Sequence, residues 1–185
     1  MPEQDTLVTQ DMLDRKGVWG RERVSPPVSE SDIRKWAIAV YWPNTPPPIF
    51  WDEEYAKTTR WGGIIAPPDF NPFAWPIVPD RAERAEAKKA KQADKAAAAS
   101  DSAEAAGMVN SPKAGRGQRG MNGGQVETYG VPMRPGNLIT ARNRLRDWEE
   151  RETRLGLTLF SYSETEWRNE EGELVKLRVS TGIRY

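Results

Sequence analysis

Residues 169–185 read NEEGELVKLRVSTGIRY, and the spacing inside them decides the fold. After the turn-forming NEEG, 169–172, the residues Val175, Leu177, Val179, Ile183 and Tyr185 fall on alternating positions. Side chains alternate across a strand with period two, so the pattern predicts a strand over 174–185 that buries this face. Residues 155–168 before the turn are also strand-like, which makes NEEG the connection of a hairpin. Further back, 137–149 and 124–130 are two more candidate strands. The C-terminal third therefore reads as antiparallel sheet.

The N-terminal part reads differently. In SESDIRKWAIAV, 29–40, Ser29 and Asp32 resemble a capping box, and Ile33, Trp36, Ala37 and Val40 follow at helical spacing, predicting an amphipathic helix that buries this stripe. Prolines 43, 46, 47 and 48 then exclude regular helix. Asp52 caps a second, short helix with Glu53 and Glu54 in its first turn, stopped by Gly62 and Gly63. In IIAPPDFNPFAWP, 64–76, any helix is short and starts near Pro72. Helices first and strands after predict an α+β fold, with the sheet wrapping a helix. Residues 79–119, rich in Ala, Lys and then Gly, carry no large apolar stripe and read as an insertion within one domain spanning 1–185.

Composition bounds the chemistry. The 185 residues suit one domain, and 27 basic against 27 acidic side chains leave no overall field for nucleic acid or an anionic membrane. No apolar run is long enough to span a bilayer, and the acidic N-terminus is unlike a signal peptide, so a cytoplasmic location is expected. The chain has no His and no Cys. Ser-His and Cys-His nucleophiles and Cys/His zinc sites are excluded, and any catalysis by this chain alone rests on carboxylates, Lys or Tyr. No metal and no cofactor is expected.

Several motifs have an ordinary explanation. GRGQRG, 115–120, has the letters of a dinucleotide loop without the preceding strand or the following helix, and reads as a loop. Residues 81–119 hold nine basic and five acidic side chains, an excess too diffuse for a nucleic-acid site. Asp52, Glu53 and Glu54 are explained by helix capping better than by a carboxylate pair. The aromatics Trp42, Phe50, Trp51, Trp61, Phe70, Phe73 and Trp75, interleaved with prolines, suit either core packing or a rigid apolar groove.

Four runs in order, VSESDIRKWAIAV, PNTPPPIFWDEEYAKTTRWGGIIAPPDF, MNGGQVETYGVPMRPGNLITARNRL and EEGELVKLRVSTGIRY, resemble the MaoC-like hotdog dehydratases, in the branch called FAS1-like dehydratase or MaoC N-terminal domains. The resemblance covers about 29–76 and 120–185. It implies one hotdog domain, a curved antiparallel sheet around a central helix, which pairs with a second hotdog to form acyl-thioester sites. Members hydrate trans-2-enoyl thioesters of coenzyme A or acyl carrier protein, or catalyse the reverse. Active members carry a motif resembling D-x-N-P-x-H, whose Asp and His activate water, and bind the thioester oxygen with a helix-start N–H.

Matched to that motif, Asn44 and Pro48 stand for its Asn and Pro, Phe50 falls where His is expected, and Trp42 or Tyr41 where Asp is expected. Ala66, Pro67 and Pro68 replace a sequence ending in His-Gly, and Pro68 has no N–H to donate. Asn122 stands where some relatives have His. The resemblance thus implies a chain without catalytic residues, the silent subunit of a heteromeric (R)-specific hydratase or dehydratase. Its partner, in a heterodimer or heterotetramer, would be a smaller hotdog chain supplying Asp and His. Related pairs act on long acyl chains and steroid side chains, so a bulky acyl group is implied. Asn44, Pro48, Ile49, Phe50, Trp51, Trp61, Gly62, Gly63, Ile65, Pro67 and Phe70 are the expected pocket wall and subunit contact. The alternatives are a non-enzymatic acyl-thioester-binding homodimer and, last, an RNA-associated protein using 81–119.

Overall fold

The structure, a computed structural model, describes residues 6–75, 85, 86, 89 and 119–185. The chain divides into two compact units, one formed by 1–74 with 116–185 and the other by 75–115. In the second unit, residues 85, 86 and 89 are helical. The remaining expectations for 79–118, including most of GRGQRG, lie outside the described residues.

The elements of the first unit are α1 (Gln10–Arg15), β1 (Arg23–Val24), α2 (Glu30–Tyr41), a 3₁₀ turn (Pro48–Phe50), α3 (Glu53–Thr58), β2 (Gly120–Tyr129), β3 (Thr140–Thr153), β4 (Gly156–Arg168) and β5 (Leu174–Arg184). The strands form one curved antiparallel sheet in the order β1-β3-β4-β5-β2, and the fold is α+β. Four strands thus lie where the sequence places them, with β2 and β3 each shifted and extended by a few residues. The N-terminal α1 and β1 have no periodic signature. They are held by long-range bonds instead, Gly17 N–H to the Leu145 carbonyl (2.8 Å) and Ser25 N–H to the Ile139 carbonyl (2.8 Å).

NEEG forms the hairpin turn. Gly172 takes a left-handed φ of +80° while the Asn169 side chain accepts from the Glu171 and Glu173 N–H groups at 3.1 and 2.8 Å. Helix α2 begins at Ser29, whose side chain accepts from the Asp32 N–H. Ile33 and Ala37 are fully buried. Val40, expected in the same stripe, is exposed, since it lies in the last turn next to the proline-rich stretch. Helix α3 is capped by Asp52, which accepts from the Tyr55 N–H at 3.0 Å. It ends at Thr58, before the two glycines expected to stop it, because Thr59 caps it through the Ala56 carbonyl. No helix opens at Pro72. The Asn71 side chain instead accepts from the Phe73 N–H (3.0 Å) and closes a turn.

The main core joins α2 (Ile33, Ala37), the extended run Ile64–Phe70 and one end of the sheet (Ala141, Trp167). The expected burial face of β5 is largely corrected. Val175 is buried, but Leu177, Val179 and Ile183 are only half-buried. Leu177 and Val179 pair across the sheet with Glu166 and Glu164, in a polar row where Arg142 and Arg168 hold Glu166 (2.8 and 2.9 Å) and Arg144 holds Glu164 (2.6 Å), while Ile183 pairs with Phe160. The Trp19 ring covers both arginines, 4.4 Å from Arg142 and 4.3 Å from Arg144.

Glu164 and Glu166 are buried, so their charges need these partners. The hydrogen bond from Arg168 holds the Glu166 carboxyl below its ordinary value. Burial opposes this and Arg142 reinforces it. A carboxyl with a lowered folded-state value contributes stability above the unfolded value, about 4.3 for Glu, and loses it as pH falls through the folded value. Urea unfolding should therefore show Glu166→Gln less stable than wild type at neutral pH and losing less stability on acidification below about pH 4.3. Parallel pH profiles for the two would exclude a role for this ion pair.

Candidate functional site

A cavity of about 300 Å³ opens where the 3₁₀ turn, the 61–68 segment and the sheet meet. Its first wall comes from the proline-rich stretch and its continuation: Ile49, Phe50, Trp61, Ile65 and Pro67. Prolines 46–48 hold the chain extended, and the 3₁₀ turn, closed by Phe50 N–H to the Pro47 carbonyl (3.2 Å), directs Phe50 inward against the Tyr41 ring at 5.9 Å. Phe50 is buried.

The second wall comes from the crossing between β2 and β3. These strands are separated in the sheet by β5 and β4, so residues 130–139 must pass over the sheet. Gly130 and Val131 donate to the carbonyls of Val175 (3.0 Å) and Leu174 (2.9 Å), while Met133 accepts from the Ala66 N–H (2.8 Å) and joins the two walls. A Cβ on Gly130 would lie 1.9 Å from the Leu174 carbonyl oxygen, so only glycine fits there.

The structure brings five of the eleven expected site residues to this cavity and leaves six outside it. Pro48 starts the 3₁₀ turn beside it. Asn44 is exposed. Trp51 turns away, its indole N–H donating to the Pro46 carbonyl at 3.0 Å. Gly62 makes the left-handed turn (φ +66°) behind Trp61, and Gly63 lies near Arg134, whose guanidinium donates to the Trp61 carbonyl at 2.8 Å. Phe70 is core, packed edge-on against Trp36 at 5.7 Å. The aromatics thus divide between core and cavity, with Trp42, Trp51 and Trp75 left exposed, and do not form one groove.

The acids near the cavity are committed to structure. Asp52 caps α3, and Glu53 and Glu54 pair with Lys57 at 3.0 and 2.9 Å. No cluster of three or more acidic side chains able to hold a metal occurs among the described residues. Asn122 sits in a β2 bulge and accepts from the Gly124 N–H (2.9 Å).

Sequence reading missed Tyr129, Val131, Met133 and Lys176, all of which line the cavity. Tyr129 donates its hydroxyl to Glu127 and to Asp69 (3.4 Å), and the bond to Glu127 raises its titration well above the ordinary value. Burial pushes the Lys176 amine down, partly offset by the Glu127 charge. Burial would raise the Glu127 carboxyl, but hydrogen bonds from Tyr129 and Arg178 outweigh it and hold it low.

A family model described as FAS1-like, dehydratase domain region, matches residues 15–178. The chain belongs to this family. This FAS1-like dehydratase-region chain shares its fold with the ChsH1–ChsH2 complex from Mycobacterium tuberculosis, at a TM-score of 0.60 and 18% identity over 91% of this chain and 89% of that one. It is also similar to the MaoC-like dehydratase from Rhodospirillum rubrum, at a TM-score of 0.50 and 16% identity over 90% and 91% of the two chains. At these identities the likeness carries the fold alone, and that fold is the hotdog. No curated protein sequence matches the chain. Among the described residues no helix is long and apolar enough to cross a membrane.

Proposed function

We propose that this hotdog chain is the catalytically silent, acyl-pocket subunit of a heteromeric (R)-specific enoyl-thioester hydratase or dehydratase. Its domain is one hotdog interrupted by an insertion over about 79–119. The observation that carries the reading is the cavity itself. Its wall holds Phe50 where the family motif has His, and Pro68 without an N–H, and among the described residues no carboxylate or imidazole lines it. Such a wall can shelter an acyl group, and it lacks the Asp and His with which the family motif activates water. The ChsH1–ChsH2 relative is a complex of two differently named chains, which supports assembly with a partner. Strand β2 supports it further, because it is an edge strand, almost wholly exposed, with Met121, Val126 and Tyr129 uncovered.

The partner is a smaller hotdog chain supplying Asp and His, and the substrate is a coenzyme A or carrier-protein thioester with a bulky acyl group. The test is enoyl-CoA hydration by the purified chain, alone and with the hotdog chain that co-purifies with it. Activity is expected only in the mixture, and substantial activity of the lone chain would sink the proposal. The exposed β2 edge suits self-pairing equally well. A stable homodimer by mass measurement, with no partner on pull-down, would favour the non-enzymatic acyl-thioester-binding reading.

A further inference from the structure

Two consecutive residues of β5, Val175 and Lys176, line the same cavity although neighbours on a strand normally face opposite ways. The cause is the register shift opposite Trp167 and Arg168. Trp167 pairs with Lys176 and Arg168 with Leu174, so Val175 is an extra residue and the bulge re-aims both side chains. Lys176 thereby joins a cross-strand row between Trp167 and Tyr129. Its amine lies 4.4 Å from the centre of the Trp167 ring and 5.5 Å from that of Tyr129. The residue is 3% exposed.

Among the described residues the amine makes no salt bridge, although the charges of Glu127 and Asp69 act on it from a distance. Among the described residues no carboxylate oxygen lies within 4.0 Å of it. Of the nearby acids, Glu127 is engaged by Arg178 Nε (2.6 Å) and the Tyr129 hydroxyl, and Asp69 is exposed to solvent, 3.4 Å from the same hydroxyl. Ring faces offset part of the burial cost of an ammonium but do not neutralise its charge. The remaining lining is apolar, from Ile49, Phe50, Ile65, Val131 and Met133. A ligand that satisfies both features has an apolar body and one anionic head.

We infer that the cavity is a binding site for an apolar monocarboxylate, such as a medium-chain fatty acid, with Lys176 as its counter-ion. The site uses side chains of this chain only and does not depend on the heteromeric reading. Its failure and the failure of that reading are therefore distinguishable.

The experiment is calorimetric titration of the full chain with decanoate and with decanol, both below their aggregation limits. Decanoate should bind about ten- to a hundredfold more tightly than decanol, as a hydrogen-bonded charge pair contributes. Lys176→Met should remove that preference, so that the two probes bind with similar affinity. The variant should also melt no lower than wild type, since it deletes a buried charge that makes no salt bridge. Equal affinity of the unmodified chain for the two probes, or no measurable binding of either, overturns the inference without any variant. So does a preference for decanoate that survives in folded Lys176→Met.

Discussion

Replacing Phe70 by Ala should lower the free energy of unfolding by about 3–5 kcal/mol, the range for deleting a buried aromatic ring. Phe70 is 1% exposed, lies edge-on to Trp36 and ends the extended run whose Ile64, Ala66 and Pro67 are also buried. Its backbone N–H closes a turn on the Pro67 carbonyl at 2.9 Å, so the backbone resists moving in to fill the space. The loss matters because domains of this size have only about 5–15 kcal/mol in total. Urea unfolding measures it. Phe70→Leu, which keeps most of the volume, should cost about 1.5 kcal/mol or less. A change below about 1 kcal/mol for Phe70→Ala would mean that the site collapses freely and that this run is not the core.

The elements readable in the sequence are those whose cause is local. Asn169 and Gly172 specify the β4–β5 turn by themselves, and Ser29 and Asp52 specify two helix starts. The errors have non-local causes. Val175 and Lys176 violate the period of β5 because of a bulge set by register against Trp167, which no single-strand pattern contains. Half of the cavity was readable, since prolines and aromatics at 46–67 announce a rigid apolar wall. The other half, Tyr129 to Met133, is placed by the crossing from one sheet edge over two intervening strands, and only the strand order reveals it. Helix α1 and strand β1 are too short for a period to appear in them.

Phe50→His restores the side chain that the family motif has there, yet neither the lone chain nor its complex should gain hydration activity. General acid–base catalysis contributes about 10²- to 10⁴-fold only when the base is oriented and the developing oxyanion is met by a donor. At position 50 an imidazole would pack against the Tyr41 ring, and the adjacent acid Asp52 is occupied in capping α3. Pro68, in the same wall of the cavity, has no N–H for the thioester oxygen. One restored group thus lacks both orientation and its electrostatic counterpart. In the proposed complex, replacing the His of the partner by Ala should by contrast lower turnover by about 10²–10⁴. Steady-state hydration assays on the two complexes separate these outcomes. Activity gained by Phe50→His in the absence of a partner would show that the cavity retains catalytic machinery, and would move this chain from acyl shelter to enzyme.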